Sequence, residues 1–339
     1  MNQEKSKKEK ISIFDIPEEM TNINLKNESL KLLEPETDYV SMMRKFKDIL
    51  NNKDSDWHLL IAVINYFRRM FKFEKKVFFQ FFYGAKFYQR IVELINSFRS
   101  SLAKNAITLL TEIFSGPISK PEEKEITSLI TVIQSTIPYL ISNVSSYKSF
   151  IKIESNKCLD SIIQNVKYLE VLLCFMQLMN SKKNKDSQLC TELSIKMIKS
   201  LGKDFFVKNS RFGELLKCVV SFYEAQKNTN LRKCRNILDC FVEVMGKECF
   251  EIKLDKCGYK EKNIIKTIMG ATFAEIKKSL KISSSSHFHK EIRERKKTFI
   301  LSNCDNNNTI KTSFSLTIKI IPKRRDSMNI GPKNLKLID

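Results

Sequence analysis

The chain has 339 residues, a formal net charge of +21, 42% hydrophobic residues, eight glycines and seven prolines. So few glycines and prolines exclude an all-β fold built on many tight turns and favour long helices, with apolar content enough for a core. The positive charge has two readings at this level: a compositional bias toward Lys, Asn and Ile, or attraction to an acidic partner such as nucleic acid, an anionic membrane or an acidic protein surface.

Cysteine usage narrows the class further. There are nine cysteines, and Cys158, Cys174, Cys190, Cys218, Cys234 and Cys240 all fall on apolar helical faces, where a free thiol behaves as a small hydrophobe. No Cys-x-x-Cys pair occurs, and the one close His pair, His287 and His289, lies in a Ser-rich segment. That spacing does not suit zinc, and no cofactor is expected. The first ten residues are polar and Lys-rich, with no apolar run of a secretory signal. The longest apolar stretch, Tyr168 to Met179, is too short for a bilayer and contains Glu170 and Gln177. An intracellular, soluble protein is expected, with no membrane partner.

In chain order, residues 1–28 read as a disordered leader, 29–282 as one helical domain and 283–339 as a basic disordered tail. Val40, Met43, Phe46 and Ile49-Leu50 mark a first helix. Leu59, Ala62-Val63, Tyr66-Phe67 and Met70-Phe71 mark a second, each with one apolar stripe. A second pair runs Lys75 to Asn96 and Ser101 to Phe114, ending at Gly116-Pro117. A third spans Pro121 to Asn143 and Lys148 to Val166. A fourth spans Lys167 to Ser181 and Asp186 to Leu201. In the fifth, Phe212, Leu215-Leu216, Val219-Val220 and Tyr223 face Leu231, Cys234, Leu238, Phe241-Val242 and Met245 across a turn at Gln226 to Asn230. A shorter unit, Lys260 to Leu280, caps the series. Four serines at 283–286 then mark a linker, and from Lys281 onward thirteen Lys and Arg stand against five Asp and Glu.

The pairs recur at about 40 to 46 residues, the period of HEAT-type helical repeats. No pair can bury its stripe alone, so the pairs must stack. The expected fold is all-α, a HEAT-repeat α-solenoid of about six antiparallel helix pairs. The single tryptophan, Trp57, follows the polar turn Asp54-Ser55-Asp56 at the tip of the first hairpin. An aromatic there is either a substantially exposed contact for another protein or a half-buried packing residue at the end of the array.

Three segments carry a family resemblance. Asp56-Trp57 is followed by Ala62-Val63-Ile64 and Arg68; Phe98-Arg99-Ser100-Ser101-Leu102-Ala103-Lys104-Asn105-Ala106 opens a later helix; Leu33-Glu34-Pro35-Glu36 precedes the tryptophan by one helix. Over residues 30–280 the chain resembles a TOG domain of the CLASP type, shared with axonemal TOG arrays. That resemblance implies that the turns within the repeats line one edge and meet the tubulin heterodimer or the microtubule lattice, with Trp57 on β-tubulin. The implied contacts are Trp57, Arg99, Ser100, Lys104, Lys148, Lys182, Lys183, Lys185, Arg232 and Lys233. It also implies a cytoskeletal location, spindle or cilium, and a role in microtubule dynamics or stability. One departure is plain: members often carry a basic residue three positions after the tryptophan, and here it is Leu60.

An enzyme is poorly supported, because three histidines, no G-x-G-x-x-G, no P-loop and no nucleophile elbow leave no catalytic constellation. A nucleic-acid reader would interleave basic and aromatic residues on a face, whereas here the basic residues cluster at turns and in the tail. A HEAT adaptor for another protein partner is the alternative to tubulin binding, though it assigns no task to an exposed Trp57.

Overall fold

The computed structural model describes residues 18–270 apart from 23, 32–38, 117–122, 182 and 226. Among these residues there are thirteen α-helices and no strand. The first pair is α1 (Tyr39–Asn51) and α2 (Trp57–Phe73). The second is α3 (Lys75–Gly84) with α4 (Phe87–Leu94), followed by α5 (Ser100–Ser115). Then come α6 (Glu123–Val144) with α7 (Ser149–Asn165), α8 (Leu169–Leu178) with α9 (Asn184–Lys208), and α10 (Phe212–Ala225) with α11 (Lys227–Met245). The short helices α12 (Lys247–Asp255) and α13 (Tyr259–Gly270) pack on α10 and α11 and close that end.

Stacking follows from the stripes. The second helices form one layer, α2 on α5, α5 on α7, α7 on α9 and α9 on α11, and α4, α6, α8 and α10 form the other. Each stripe faces between the layers, so one continuous core runs from Met43 to Ile268. Burying a Leu, Ile or Phe side chain is worth about 1.5–3 kcal/mol, and helices sandwiched by two neighbours collect this on more than one face. Near the start, Phe67 meets Phe78, Phe82 and Phe87 at centroid distances of 6.2, 5.8 and 5.7 Å. Near the end, Phe212 meets Phe206 and Phe241 edge-on at 5.9 and 5.1 Å.

Three details differ from the periodicity. The helix expected over Lys75–Asn96 divides at Ala85-Lys86, where Lys86 takes a left-handed φ of 58°. The break lets Phe87 turn into the core. In the fourth pair α9 does not stop at Leu201; Gly202, at φ 75°, interrupts it and a last turn continues to Lys208. The fifth turn is tighter than Gln226–Asn230, because residues 227–230 are helical and Asn230 Nδ2 donates to the Phe222 carbonyl at 2.8 Å.

The leader departs most from expectation. Residues 18–31 contain two short 3₁₀ turns, Glu18–Thr21 and Asn27–Ser29, and bury Met20 and Leu30. They lie across α2, whose residues 59–65 and 67–71 are all buried. The polar residues on that outer face explain the attachment. Asn65 Nδ2 donates to the Met20 and Asn22 carbonyls at 2.6 and 3.2 Å, and Arg69 Nε to the Lys31 carbonyl at 2.8 Å. Arg68, 2% exposed, donates from NH1 to the Leu25 carbonyl at 2.8 Å. Its Nε and NH2 engage Glu112 of α5 at 2.9 and 2.7 Å. One guanidinium therefore ties leader, first repeat and second repeat. The leader's earlier residues, the segment Leu33 to Glu36, and the expected basic tail at 283–339 lie outside the described residues.

Removing one partner of a buried ion pair costs about 3–5 kcal/mol because the other is left uncompensated. Arg68→Leu is expected near 3 kcal/mol, since Glu112 keeps 15% exposure. Urea unfolding checks this, with the midpoint falling at constant m-value. An unchanged midpoint would show that the pair contributes nothing net.

Candidate protein-binding edge

The turn before α2 is shaped by short polar side chains. Ser55 Oγ donates to the Ile49 carbonyl at 2.6 Å, and the Asp54 N–H donates to Asn52 Oδ1 at 3.1 Å. Asp56 is the N-cap: its carboxylate accepts the His58 N–H at 2.7 Å and meets His58 Nδ1 at 2.9 Å. Such caps stabilise a helix start by about 1 kcal/mol. The helix therefore opens on Trp57, but the indole is half-buried, not substantially exposed. It rests on the core and against the His58 ring, 3.6 Å between centroids, while the Arg99 guanidinium lies 5.8 Å from its ring. Leu60, where a basic residue was anticipated, is core, 4% exposed.

Turns two, three and four share one construction. Ser97, Ser146 and Ser181 each accept, through Oγ, the N–H of the residue two positions on, at 3.2, 3.2 and 3.3 Å. Those residues, Arg99, Lys148 and Lys183, are the N-caps of α5, α7 and α9, and all are extended, with φ, ψ of −74°, 101°; −80°, 102°; and −85°, 113°. This serine turn is a local alternative to helical bonding and halts the chain one residue before the helix.

The turns are also laced to one another. Lys148 Nζ donates to Ser100 Oγ at 2.7 Å, joining turns two and three. Ser145 Oγ donates to Asp186 Oδ1 at 3.3 Å, joining three and four. Lys233 Nζ donates to Asn184 Oδ1 and Ser187 Oγ at 3.0 and 2.9 Å, joining four and five. With Arg99 over Trp57, the five turns form one connected edge.

This lacing sorts the sequence-derived residues. Lys148, Ser100 and Lys233 are half-buried braces between turns, and burial lowers the Lys233 pKa below its ordinary value. Lys104 is half-buried, with Nζ 3.4 Å from Asn24 Oδ1 of the leader. Arg99, Lys183, Lys185 and Arg232 are exposed and have no ion-pair partner among the described residues. Lys182 lies outside those residues. At the opposite ends of the helices Arg211 is held by Glu170 and by Glu214 at 2.8 Å, and Lys253 donates to the Asn209 carbonyl at 2.8 Å. Sequence reasoning missed two residues of the edge, Phe98 and Tyr147, which are 100% and 91% exposed. Their signal was present as Ser-x-(Arg/Lys)-(Ser/Asn), repeated at Ser97, Ser146 and Ser181.

Burial pushes the thiols of Cys158, Cys190 and Cys234 up to about 12 and those of Cys174 and Cys240 up to about 11, so they stay protonated packing groups. Among the described residues no group of three or more His, Cys, Asp and Glu could hold a metal ion, and no helix is long and apolar enough to cross a membrane.

The neighbours Lys233 and Arg232 should behave oppositely on substitution. Lys233→Met removes two charge-assisted hydrogen bonds and is expected to lower stability by about 1.5–3 kcal/mol. Arg232→Ala should leave stability within about 0.5 kcal/mol, as surface changes do. Thermal melts of the two variants side by side check the assignment of brace and free cation.

A protein-family model described as CLASP N terminal matches residues 38–248, more than half of the chain. No curated protein matches. Two engineered proteins, solved by crystallography as Northeast Structural Genomics Consortium targets, are similar at a distance. The first shares 14% identity over 77% of this chain and 71% of its own, with a TM-score of 0.35. The second shares 15% over 75% of this chain and 96% of its own, with a TM-score of 0.25. Neither likeness is close enough to carry an argument. The family match spans the helices from α1 to the start of α12, including all five turns of the edge, and the chain belongs to the CLASP N-terminal family.

Proposed function

We propose that this chain binds tubulin, as free heterodimer or in the microtubule lattice, through the edge formed by its five turns, and so regulates microtubule dynamics or stability. The observation that carries the reading is the concentration of free cations and a capped indole on one edge: Trp57 beneath Arg99, then Lys183, Lys185 and Arg232, all without carboxylate partners among the described residues. A half-buried tryptophan held by its own helix start loses little entropy on binding and suits the centre of an interface. Flanking unpaired cations complement an acidic surface and raise the association rate. Residues 283–339, with their excess of Lys and Arg, are proposed to add affinity for the acidic lattice, and phosphate on Ser327, beside Arg324-Arg325-Asp326, to reduce it.

Size exclusion with free tubulin and co-sedimentation with taxol-stabilised microtubules test the class directly. Trp57→Ala is expected to weaken tubulin binding by about 2 kcal/mol, roughly 30-fold. A sharply lower melting temperature with unchanged affinity would make Trp57 a packing residue only. Removing residues 283–339 should weaken lattice binding most at low ionic strength, because exposed charges are screened over about 8–10 Å at physiological salt. Equal co-sedimentation across a salt series would assign the tail no electrostatic role, and failure of the whole chain to bind either form of tubulin would favour an adaptor for another protein.

A further inference from the structure

We propose that Phe98 and Tyr147 are apolar anchors of the edge, and that the edge is divided into an aromatic half at its first three turns and a cationic half at its fourth and fifth. The inference rests on tubulin as the partner and names how its acidic surface is held.

Phe98 and Tyr147 occupy the same slot of the same turn. Each follows the serine whose Oγ accepts the N–H of the N-cap, and each precedes an N-cap residue with nearly the same φ and ψ. The turn points that slot away from both layers, hence the 100% and 91% exposure. A single exposed aromatic is ordinary. Two at equivalent positions of two rigid turns, joined by the Lys148–Ser100 hydrogen bond, form a built surface. Beyond the third turn the apolar character continues into α7, where Phe150 and Ile153, 41% and 53% exposed, are three residues apart and so lie on one helix face. In the fourth turn the residue that follows the serine in sequence is Lys182, and the exposed cations beyond it are Lys183, Lys185 and Arg232. The character of the edge changes between the third and fourth turns.

The charges say what covers the aromatic half. Arg99 lies over Trp57, and Lys148 Nζ is 5.8 Å from the Tyr147 ring, so two of the aromatic groups are each flanked by a cation. The complement is a protein surface with apolar patches framed by carboxylates, an apolar interface core within a charged rim. Apolar burial is little affected by moderate salt, whereas charge steering by the cationic half is screened. The two halves are therefore separable by ionic strength.

The test compares the full chain with two double variants, Phe98→Ser with Tyr147→Ser and Lys185→Ser with Arg232→Ser, binding free tubulin at low and at physiological salt. The aromatic variant is expected to bind about tenfold more weakly or worse at both salts, with an unchanged melting temperature because both side chains are exposed. The cationic variant is expected to lose affinity at low salt and to approach the unaltered chain as salt rises. Unaltered tubulin affinity in the aromatic variant would overturn the anchors while leaving the proposed function standing. A loss that vanishes at physiological salt would overturn the division. Absence of tubulin binding by the unaltered chain would overturn the proposed function, and this inference with it.

Discussion

A helix pair with one apolar stripe per helix cannot bury both stripes by itself, and the rest of this molecule follows from that. Each second helix is pressed between its partner and the next repeat, so α5 and α7 lie side by side and α7 and α9 likewise. Stacking in a fixed register also brings every turn within a pair to the same end of the helices. The candidate edge is thus a by-product of core formation. At the first repeat the arrangement differs, because among the described residues no earlier second helix lies against α2. Residues 18–31 cover it instead, and Arg68 converts that cover into a three-way junction with Glu112. A buried guanidinium is tolerable only with full pairing, and here its donors meet two carbonyl or amide oxygens and a carboxylate.

Along the edge, polar residues divide between holding turns to one another and remaining free. Adjacent positions take opposite roles, since successive helical residues point about 100° apart. Lys233 turns inward to Asn184 and Ser187, and Arg232 stays in solvent. Lacing has a functional consequence: a surface whose turns are already braced needs little reordering on binding, which lowers the entropic cost of association. At the opposite edge Arg211 is occupied by Glu170 and Glu214, while Lys72 and Lys75 lie over Phe73 and Phe71.

Much of the fold was legible because its signal is periodic. Stripes such as Phe212, Leu215, Leu216 and Val219 state a helix and its buried face together, and all four are buried. What escaped was non-periodic. The cover over α2 has no stripe; its attachment is written in α2 itself, as Asn65, Arg68 and Arg69 within an apolar run, a polar set that needs acceptors and finds several of them among the leader's backbone carbonyls. The break at Lys86 depends on a left-handed backbone that a lysine does not announce. Among the edge residues, the sequence points to the cations without separating brace from contact, because that separation is made by neighbours 41 to 49 residues away. Phe98 stands in the segment that carries the family resemblance without being singled out as a contact, and Tyr147 is not singled out at all, though the serine two residues before each N-cap marks both as turn tips.

On the proposed function, one edge of this array, the five turns from Trp57 to Arg232, is the surface that meets tubulin. Backbone hydrogen exchange of the full chain, alone and with saturating free tubulin, tests it most directly. Exchange is expected to slow in the segments around Trp57, Phe98 to Ser101, Tyr147 to Ser149 and Lys183 to Ser187, with little change at Lys167-Tyr168 and Asn209 to Arg211. Protection confined to those opposite turns, or none anywhere in the helical array, would contradict it.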